Sequence, residues 1–241
     1  MKFTLKALAV AAVASASSFT FADEPTSPHS VSGNIGVLSS YNLRGITNSP
    51  ENKGATINGG LDYNHASGFY AGWWGSTLDY GDDLPNAFEN DFYAGYSGSI
   101  NDDWGYTAGL TYYYYYDIGN SGSNGFETML GLTYKDLGIT AQTLLEDLDW
   151  GNAGDTYLKA SYSYALPKDF SLDTALGLYL YDKNGPIEAA DTFSFRHFDI
   201  GLSKPLADTG ITASMNYIFG GYNRFDEKQK NKVVLGLGYS F

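Results

Sequence analysis

The chain has 241 residues and a mean hydropathy of −0.25, and no stretch after residue 22 approaches 18 consecutive apolar residues, which excludes a helical membrane bundle. Aromatic residues make up 16% and 29 residues are glycine, a composition typical of strands and tight turns. The absence of cysteine excludes disulfides and thiol chemistry, and a net charge of −13 argues against a nucleic-acid partner, because phosphate binding needs a basic face.

The first predicted element is a secretory signal peptide over residues 1–22. Two lysines form a basic start, Ala7–Ala16 is an apolar run of the length that a signal needs, and Ala22 is small enough to precede the cleavage site. The mature chain, residues 23–241, is therefore expected outside the cytoplasm. Its first nine residues, 23–31, are predicted to form a short tail with no room for a plug domain.

From Ser32 onward, apolar and small polar residues alternate with the period of two that indicates β-strands. The same alternation recurs over 170–181, 211–219 and 233–241. The clearest stretch has a row rich in glycine and threonine opposite a row of aromatic and aliphatic residues. That apolar row consists of Trp104, Tyr106, Ala108, Leu110, Tyr112, Tyr114 and Tyr116.

The connections between the predicted strands alternate between short and long. The short ones fall near residues 65–68, 101–103, 136–138, 167–169 and 204–210. The long ones fall near residues 46–53, 79–87, 118–124, 147–154, 182–191 and 222–231. This alternation predicts twelve strands, with ten as the alternative. Both termini then lie at the end with the short turns, taken as the periplasmic side, and the long loops lie at the outer side.

The row opposite the apolar one distinguishes a soluble sandwich from a membrane barrel. The solvated face of a soluble sheet is typically charged, whereas this row carries glycine, hydroxyl and amide residues with sparse charge. Aromatic residues concentrate at strand ends and aliphatic residues lie mid-strand, as in outer-membrane barrels. The sequence therefore predicts an all-β protein, a closed antiparallel up-and-down transmembrane β-barrel in the outer membrane of a Gram-negative bacterium. Its apolar row is expected to face lipid and lipopolysaccharide.

Three stretches near the N-terminus resemble the TorF family of outer-membrane barrels, which are regarded as porins. They are SYNLRG at 40–45, GGLDY at 59–63 and GFYAGWWGS at 68–76. A departure is the doubled Trp73-Trp74, where one tryptophan is the family pattern. The resemblance implies a porin-like location and architecture. The end of the chain also looks like the signal by which outer-membrane assembly machinery recognises its clients, through Leu237, Tyr239 and Phe241.

If the apolar row faces lipid, strand parity assigns a set of charged side chains to the lumen. The acidic ones are Asp62, Glu89, Asp91, Glu127, Glu146, Asp173 and Asp199, and the others are Arg44, Lys135, Lys159 and His197. The excess of carboxylates predicts a mild preference for cations in a channel for passive diffusion of small hydrophilic solutes. A monomer is expected because no long apolar surface beyond the lipid-facing row is identifiable, and no cofactor is implied. Whether twelve strands leave the lumen open or filled stays undecided, because eight-stranded barrels are filled and sixteen-stranded ones are open.

Arg44 precedes Gly45, where the chain is expected to turn at the outer mouth. It has two interpretations: one side of a constriction, or a structural residue that fixes an inward-folded loop through a carboxylate or stacks on a tyrosine. Of the tyrosine run, alternate residues are expected at the lipid interface. The inward pair, Tyr113 and Tyr115, has no preferred role.

Three other functions have weaker sequence support. The stretch 147–155 has carboxylates at alternate positions, but Asn152 occupies the position where a calcium loop requires glycine. A solvated acidic loop is therefore predicted, with a weak divalent-ion site shared with lipopolysaccharide phosphates as the alternative. An outer-membrane hydrolase needs a base, and His197 shares a strand face with Asp199, yet no serine partner is identifiable. His29 and His65 are predicted to lie in the tail and in a turn. A non-conducting structural or adhesive barrel is the remaining alternative.

Overall fold

The computed structural model describes residues 27–49, 54–80, 84 and 86–241, and the predicted signal peptide lies outside them. Within these residues, twelve strands form a closed barrel in which each strand pairs antiparallel with its sequence neighbours and β12 pairs with β1. The predicted closed barrel and its strand number are confirmed. In chain order the strands are β1 (His29–Leu38), β2 (Thr56–His65), β3 (Phe69–Thr77), β4 (Phe88–Ser99), β5 (Trp104–Tyr116), β6 (Gly125–Tyr134), β7 (Leu137–Leu144), β8 (Thr156–Leu166), β9 (Phe170–Leu180), β10 (Phe193–Pro205), β11 (Ile211–Gly220) and β12 (Lys232–Ser240).

The barrel closes between its first and last strands. Asn34 pairs with Ser240, and backbone hydrogen bonds of 2.8 and 2.9 Å join Gly33 to Phe241. A side chain at Gly33 would meet the Phe241 ring at 2.5 Å, so glycine permits the close approach at this seam. Closure satisfies the backbone groups of the edge strands, which a hydrocarbon environment requires because it offers no water to unpaired groups.

Most strand ends lie close to their predicted positions, with two corrections in the first strand. β1 ends at Leu38, so the long connection predicted near 46–53 begins at residue 39. Residues 29–31, predicted as tail, belong to β1, where His29 pairs with His65 at the end of β2. The extension arises because β2 offers backbone partners along its whole length. Among the described residues there is no helix with the length and apolarity that crossing a bilayer requires.

The two faces of the sheet are oriented as predicted, with the apolar row outside. Leu130 is 61% exposed and Leu235 is 53% exposed, whereas Met129, on the opposite row, is buried. Aromatic pairs lie near both ends of the outer surface. Examples are Trp104–Tyr134 at the short turns and Tyr112–Phe126 at the long connections, with ring centroids 4.9 and 4.7 Å apart. This surface has the apolar belt and aromatic girdles of an outer-membrane barrel.

Candidate functional site

The lumen has two parts that differ in their side chains. We call the part near the long connections the loop half; it includes Glu89, Arg44 and Glu127. We call the part near the short turns the turn half; it includes Asp62 and Asp173. Residues 39–49, the first part of the connection between β1 and β2, enter the loop half.

Two contacts show that the β1–β2 connection crosses the lumen. The buried Tyr41 donates its hydroxyl hydrogen bond to Glu89 on β4. Gly45, with a positive φ of 74°, lies against His197 on β10 so closely that a Cβ would be 2.5 Å from the histidine Cβ. Because β4 and β10 are six strands apart in a ring of twelve, they face each other across the barrel. The connection therefore occupies the centre of the loop half.

The β1–β2 connection is also held from the β11–β12 side. The backbone N–H groups of Thr47 and Asn48 both donate to the side-chain oxygen of Gln229, at 3.2 Å. The Thr47 hydroxyl donates to the carbonyl of Lys230 at 2.6 Å. Gln229 is 2% exposed, so this amide is a buried anchor for the incoming chain.

Arg44 is the centre of a polar cluster in the loop half. Its guanidinium binds both carboxylate oxygens of Glu127 on β6, at 2.9 and 2.5 Å. It also donates to the hydroxyls of Tyr113 (3.2 Å) and Tyr179 (3.1 Å), and it lies 4.9 Å from the ring centroid of Tyr157. A bidentate arginine–carboxylate pair is among the stronger polar contacts in proteins. The contacts of Arg44 therefore match its structural interpretation, because it joins the inward loop to a carboxylate and stacks on a tyrosine.

The carboxylates of β4 and β6 form an acidic wall. Glu89 accepts hydrogen bonds from Tyr41 and Tyr115, the latter at 3.0 Å. Asp91, two residues further along β4, is 4% exposed, and its Oδ1 has no hydrogen-bond partner among the described residues. The inward Tyr113, whose role the sequence leaves unassigned, donates to Glu127 at 2.7 Å. Tyr115 and Tyr113 therefore hold wall carboxylates in place.

A bulge in β10 adds a cation that strand parity misses. The pairing of β10 with β9 shifts register between Phe195 and His197, and Arg196 and His197 are both buried as a result. Simple alternation places Arg196 on the lipid face, whereas a bulge turns two successive side chains toward the same face. The sequence of this stretch has no glycine or proline that would indicate a bulge. Arg196 donates to the Tyr181 hydroxyl at 3.1 Å.

Tyr157, Tyr179 and Tyr181 lie side by side along the β8–β10 wall. The ring centroids of Tyr157 and Tyr179 are 5.7 Å apart, and those of Tyr179 and Tyr181 are 4.7 Å apart. Each has an arginine over its face. Burial raises the pKa of Tyr181, just beyond β9, to about 12, so its hydroxyl stays neutral and accepts a hydrogen bond from the guanidinium. The pairs, with distances from guanidinium carbon to ring centroid, are Arg44 on Tyr157 (4.9 Å), Arg196 on Tyr179 (5.2 Å) and Arg224 on Tyr181 (4.9 Å).

His197 and Asp199 share the lumen face and contact each other. The histidine Nδ1 lies 2.8 Å from the aspartate, and its Nε2 lies 2.7 Å from the Tyr157 hydroxyl. Both ring nitrogens are therefore engaged by side chains of the wall. Neither of these two partners is the serine that the hydrolase alternative requires.

In the turn half, carboxylates are held by hydroxyl groups of nearby strands. Asp62 on β2 accepts a hydrogen bond from Tyr93 at 2.5 Å. Asp173 on β9 accepts from Ser163 on β8 (2.7 Å) and Ser203 on β10 (2.9 Å). These contacts follow the wall and do not cross the lumen. Lys159 lies half-buried on β8, on the same row as Ser163.

Two of the residues assigned to the lumen by parity lie elsewhere. Lys135 is in the turn between β6 and β7, with a positive φ of 54° and a side chain that is 57% exposed, 3.8 Å from Asp103. Glu146 lies beyond the end of β7, is exposed, and accepts the backbone N–H of Phe126 at 2.9 Å. Both assignments were wrong because alternation was carried past the last paired residue of a strand.

The sequence predicts a solvated acidic loop at 147–155, but the end of this stretch is buried. Asp155 is 1% exposed and forms an ion pair with Arg224 of the β11–β12 connection. It also accepts the backbone N–H groups of Asn152 (2.9 Å) and Asp182 (2.8 Å). The stretch therefore joins three of the long connections. In the part of the chain that the structure describes, no group of three acidic, histidine or cysteine side chains is placed to hold a metal ion.

The fold defines this protein as a closed, antiparallel, twelve-stranded barrel. It is similar to a structure titled KdgM porin, with a TM-score of 0.57 and 12% identity over 87% of this chain and 99% of that one. It is similar to a NanC porin structure, with a TM-score of 0.53 and 14% identity over 87% and 99%. It is also similar to a structure of KdgM porin in complex with disordered oligogalacturonate, with a TM-score of 0.53 and 11% identity over 88% of this chain and 98% of that one. At these identities the likeness concerns the fold.

The chain belongs to a family of bacterial proteins of unknown function, Gcw_chp, whose model matches residues 22–241. The TorF name suggested by the three N-terminal stretches is not confirmed by this match. No curated protein matches the chain.

Proposed function

We propose that the protein is an outer-membrane channel for the passive diffusion of small hydrophilic solutes, with a preference for cations over anions. The closed barrel, its outward apolar belt and its similarity in fold to structures titled as porins support the location and the class. The inward row of glycine, serine and threonine in the turn half supports a polar passage.

The observation that carries the cation preference is the charge of the lumen wall. Among the described residues, the lumen-facing carboxylates are Asp62, Glu89, Asp91, Glu127, Asp173 and Asp199, and the cationic side chains on the inward rows are Arg44, Lys159, Arg196 and Lys232. Arg44 is already paired with Glu127, and Arg224 with Asp155. The excess of negative charge in a narrow passage lowers the energy of a cation there and raises that of an anion.

The inward β1–β2 connection supplies the constriction of this channel. It places Arg44 against the acidic wall of β4 and β6, which also holds the buried Asp91, whose Oδ1 has no hydrogen-bond partner among the described residues. A solute that crosses this level meets carboxylates on one side and arginine–tyrosine pairs on the other.

Reversal potentials in planar bilayers test the proposal. With a potassium chloride gradient, the reversal potential is expected to have the sign of a cation-selective pore, and Asp91→Asn is expected to move it toward zero. Asp103→Asn, at an exposed turn, is the matched control and is expected to leave it unchanged. Anion selectivity, or an equal effect of the two variants, would overturn the cation preference.

A non-conducting barrel is the second candidate, because side chains from opposite walls meet in the loop half. The Arg44–Glu127 pair and the tyrosines around it fill the centre of that level. Liposome swelling with sugars of graded size separates the two candidates. A channel admits the small sugars and excludes the large ones, whereas a closed barrel admits none of them.

A further inference from the structure

A cavity of about 180 Å³ opens at the outer end of the barrel, beside the Arg44 cluster. Its walls come from the connections β1–β2, β3–β4, β5–β6 and β7–β8, and its floor comes from the ends of β4 and β5. Four aromatic side chains and two carboxylates line it together with aliphatic groups. These six are Tyr41, Tyr80, Tyr115, Trp150, Glu89 and Asp149.

The donors on the cavity floor are already used within the protein. Tyr41 and Tyr115 both direct their hydroxyl groups to the carboxylate of Glu89. Trp150 donates its indole N–H to the backbone carbonyl of Ser123 at 3.0 Å. What these residues still present to the cavity is ring faces and the negative charge of a carboxylate.

The rim of the cavity has the same character. Asp149 is exposed and accepts the hydroxyl of Ser123 at 3.3 Å, so the serine donor is also used. No lysine or arginine is among the lining residues that the structure describes. The cavity therefore combines a negative charge at floor and rim with aromatic faces between them.

This chemistry selects among ligand classes. A neutral sugar needs donors as well as acceptors from its site, and the donors of Tyr41, Tyr115, Trp150 and Ser123 are used by internal partners. An organic ammonium ion needs acceptors, negative charge and aromatic faces, which attract cations through the ring quadrupole. A cavity of about 150 Å³ holds a molecule the size of benzene, so this one has room for a choline-sized ion.

We propose that this cavity binds an organic ammonium ion at the outer mouth of the barrel. The inference deepens the proposed cation preference and rests on it for its role, as the first position that an entering cation occupies. Below the cavity, Asp91 follows Glu89 along the same row of β4 and provides the next carboxylate toward the turn half. Binding itself does not depend on conduction.

Ligand titration of the purified mature barrel in detergent tests the class of ligand. Choline is compared with 3,3-dimethyl-1-butanol, which has the same shape without the charge, and with glucose, using calorimetry or ligand-observed NMR. Choline is expected to bind at least about tenfold more tightly than the neutral isostere, because only the cation interacts with the rings and carboxylates. Equal binding of the two, or binding of glucose without choline, would overturn the inference.

Two isosteric variants on one loop locate the site. Asp149→Asn removes the rim charge and is expected to weaken choline binding by at least about threefold. Asp147→Asn removes the same charge two residues earlier, outside the cavity, and is expected to change it by less than about 1.5-fold because salt screens distant exposed charges. Both carboxylates are exposed, so neither variant is expected to unfold the barrel. An equal loss in the two variants would contradict the placement.

The ring contribution is tested with Trp150→Leu, which is expected to weaken choline binding by at least about fivefold while dimethylbutanol is unaffected. If that variant does not fold, the comparison of Asp149→Asn with Asp147→Asn still tests the position of the site. The two proposals fail separately. Choline binding by a barrel that does not conduct leaves the site in place and overturns the channel, whereas a cation-selective channel that binds no choline overturns the site.

Discussion

The loop half and the turn half of the lumen are built on the same strands but hold their polar groups in different ways. In the loop half, Arg44 reaches from the β1–β2 connection to Glu127, 83 residues away in sequence. In the turn half, Asp173 is held by Ser163 and Ser203 on the two adjacent strands. The first arrangement depends on one loop being inside the barrel, whereas the second needs only the wall.

Because of this difference, the stability of the barrel and the charge that an ion meets in its lumen can be changed separately. Changes in the loop half should alter stability and conductance together, because the same contacts fold the loop and narrow the passage. Changes in the turn half should alter the charge that an ion meets while leaving the barrel as stable as before.

The largest effect is expected for Glu127→Gln. It leaves the guanidinium of Arg44 buried without a carboxylate, and losing one partner of a buried ion pair costs about 3–5 kcal/mol. We expect a loss of that size in urea unfolding in detergent micelles, together with a larger single-channel conductance as the loop loosens. Glu146→Gln, at an exposed position, is the control and should cost less than about 1 kcal/mol. Similar losses would show that the ion pair does not hold the loop.

Arg44→Ala should cost less than the change at its partner. Glu127 keeps hydrogen bonds from Tyr113 and Gln142 when the arginine is removed, so its charge remains partly compensated. A loss of about 2–3 kcal/mol is expected, with a higher conductance and a stronger cation preference because a positive charge has left the constriction. Lys135→Ala, in an exposed turn, should change neither property. An unchanged current–voltage curve for Arg44→Ala would remove this residue from the passage.

The wall of the barrel was predictable from sequence to a larger extent than its contents. A period of two and alternating connection lengths depend on local chemistry, and they predict twelve strands with turns such as 167–169 at their observed positions. The same rule failed at Lys135 and Glu146, because a strand ends where its partner stops pairing, and that is a property of two strands. It failed at Arg196 because a bulge depends on the register of β9 against β10.

The interior of the loop half depends on packing between distant parts of the chain. The residue type of Arg44 and the glycine after it suggested an inward loop held by a carboxylate, but several carboxylates were available. The choice of Glu127 follows from where the loop enters, which Gln229 and the facing His197 determine. Sequence spacing alone does not predict such long-range contacts.

Gly45→Ala gives a smaller effect that measures how tightly the loop is packed. Gly45 has a φ of 74° and its added methyl group would meet His197, whereas Gly119 has a φ of 89° and nothing within 4 Å of its Cβ position. Gly119→Ala should therefore cost about 1 kcal/mol from backbone strain alone. Gly45→Ala should cost about 1 kcal/mol more, because interior atoms must shift to admit the methyl group. Equal losses in urea unfolding would mean that the loop moves freely at this point.

The smallest effect is expected for Asp173→Asn in the turn half. The amide can still accept a hydrogen bond from one serine and donate to the other, so stability should change by less than about 1 kcal/mol. The reversal potential should nevertheless move toward zero, since one lumen charge is lost, while Asp103→Asn at an exposed turn leaves it unchanged. A stability loss as large as that of Glu127→Gln would show that the turn half also depends on contacts beyond its wall. A reversal potential that does not move would place the selective level entirely at the constriction, beside the buried carboxylates of Glu89 and Asp91.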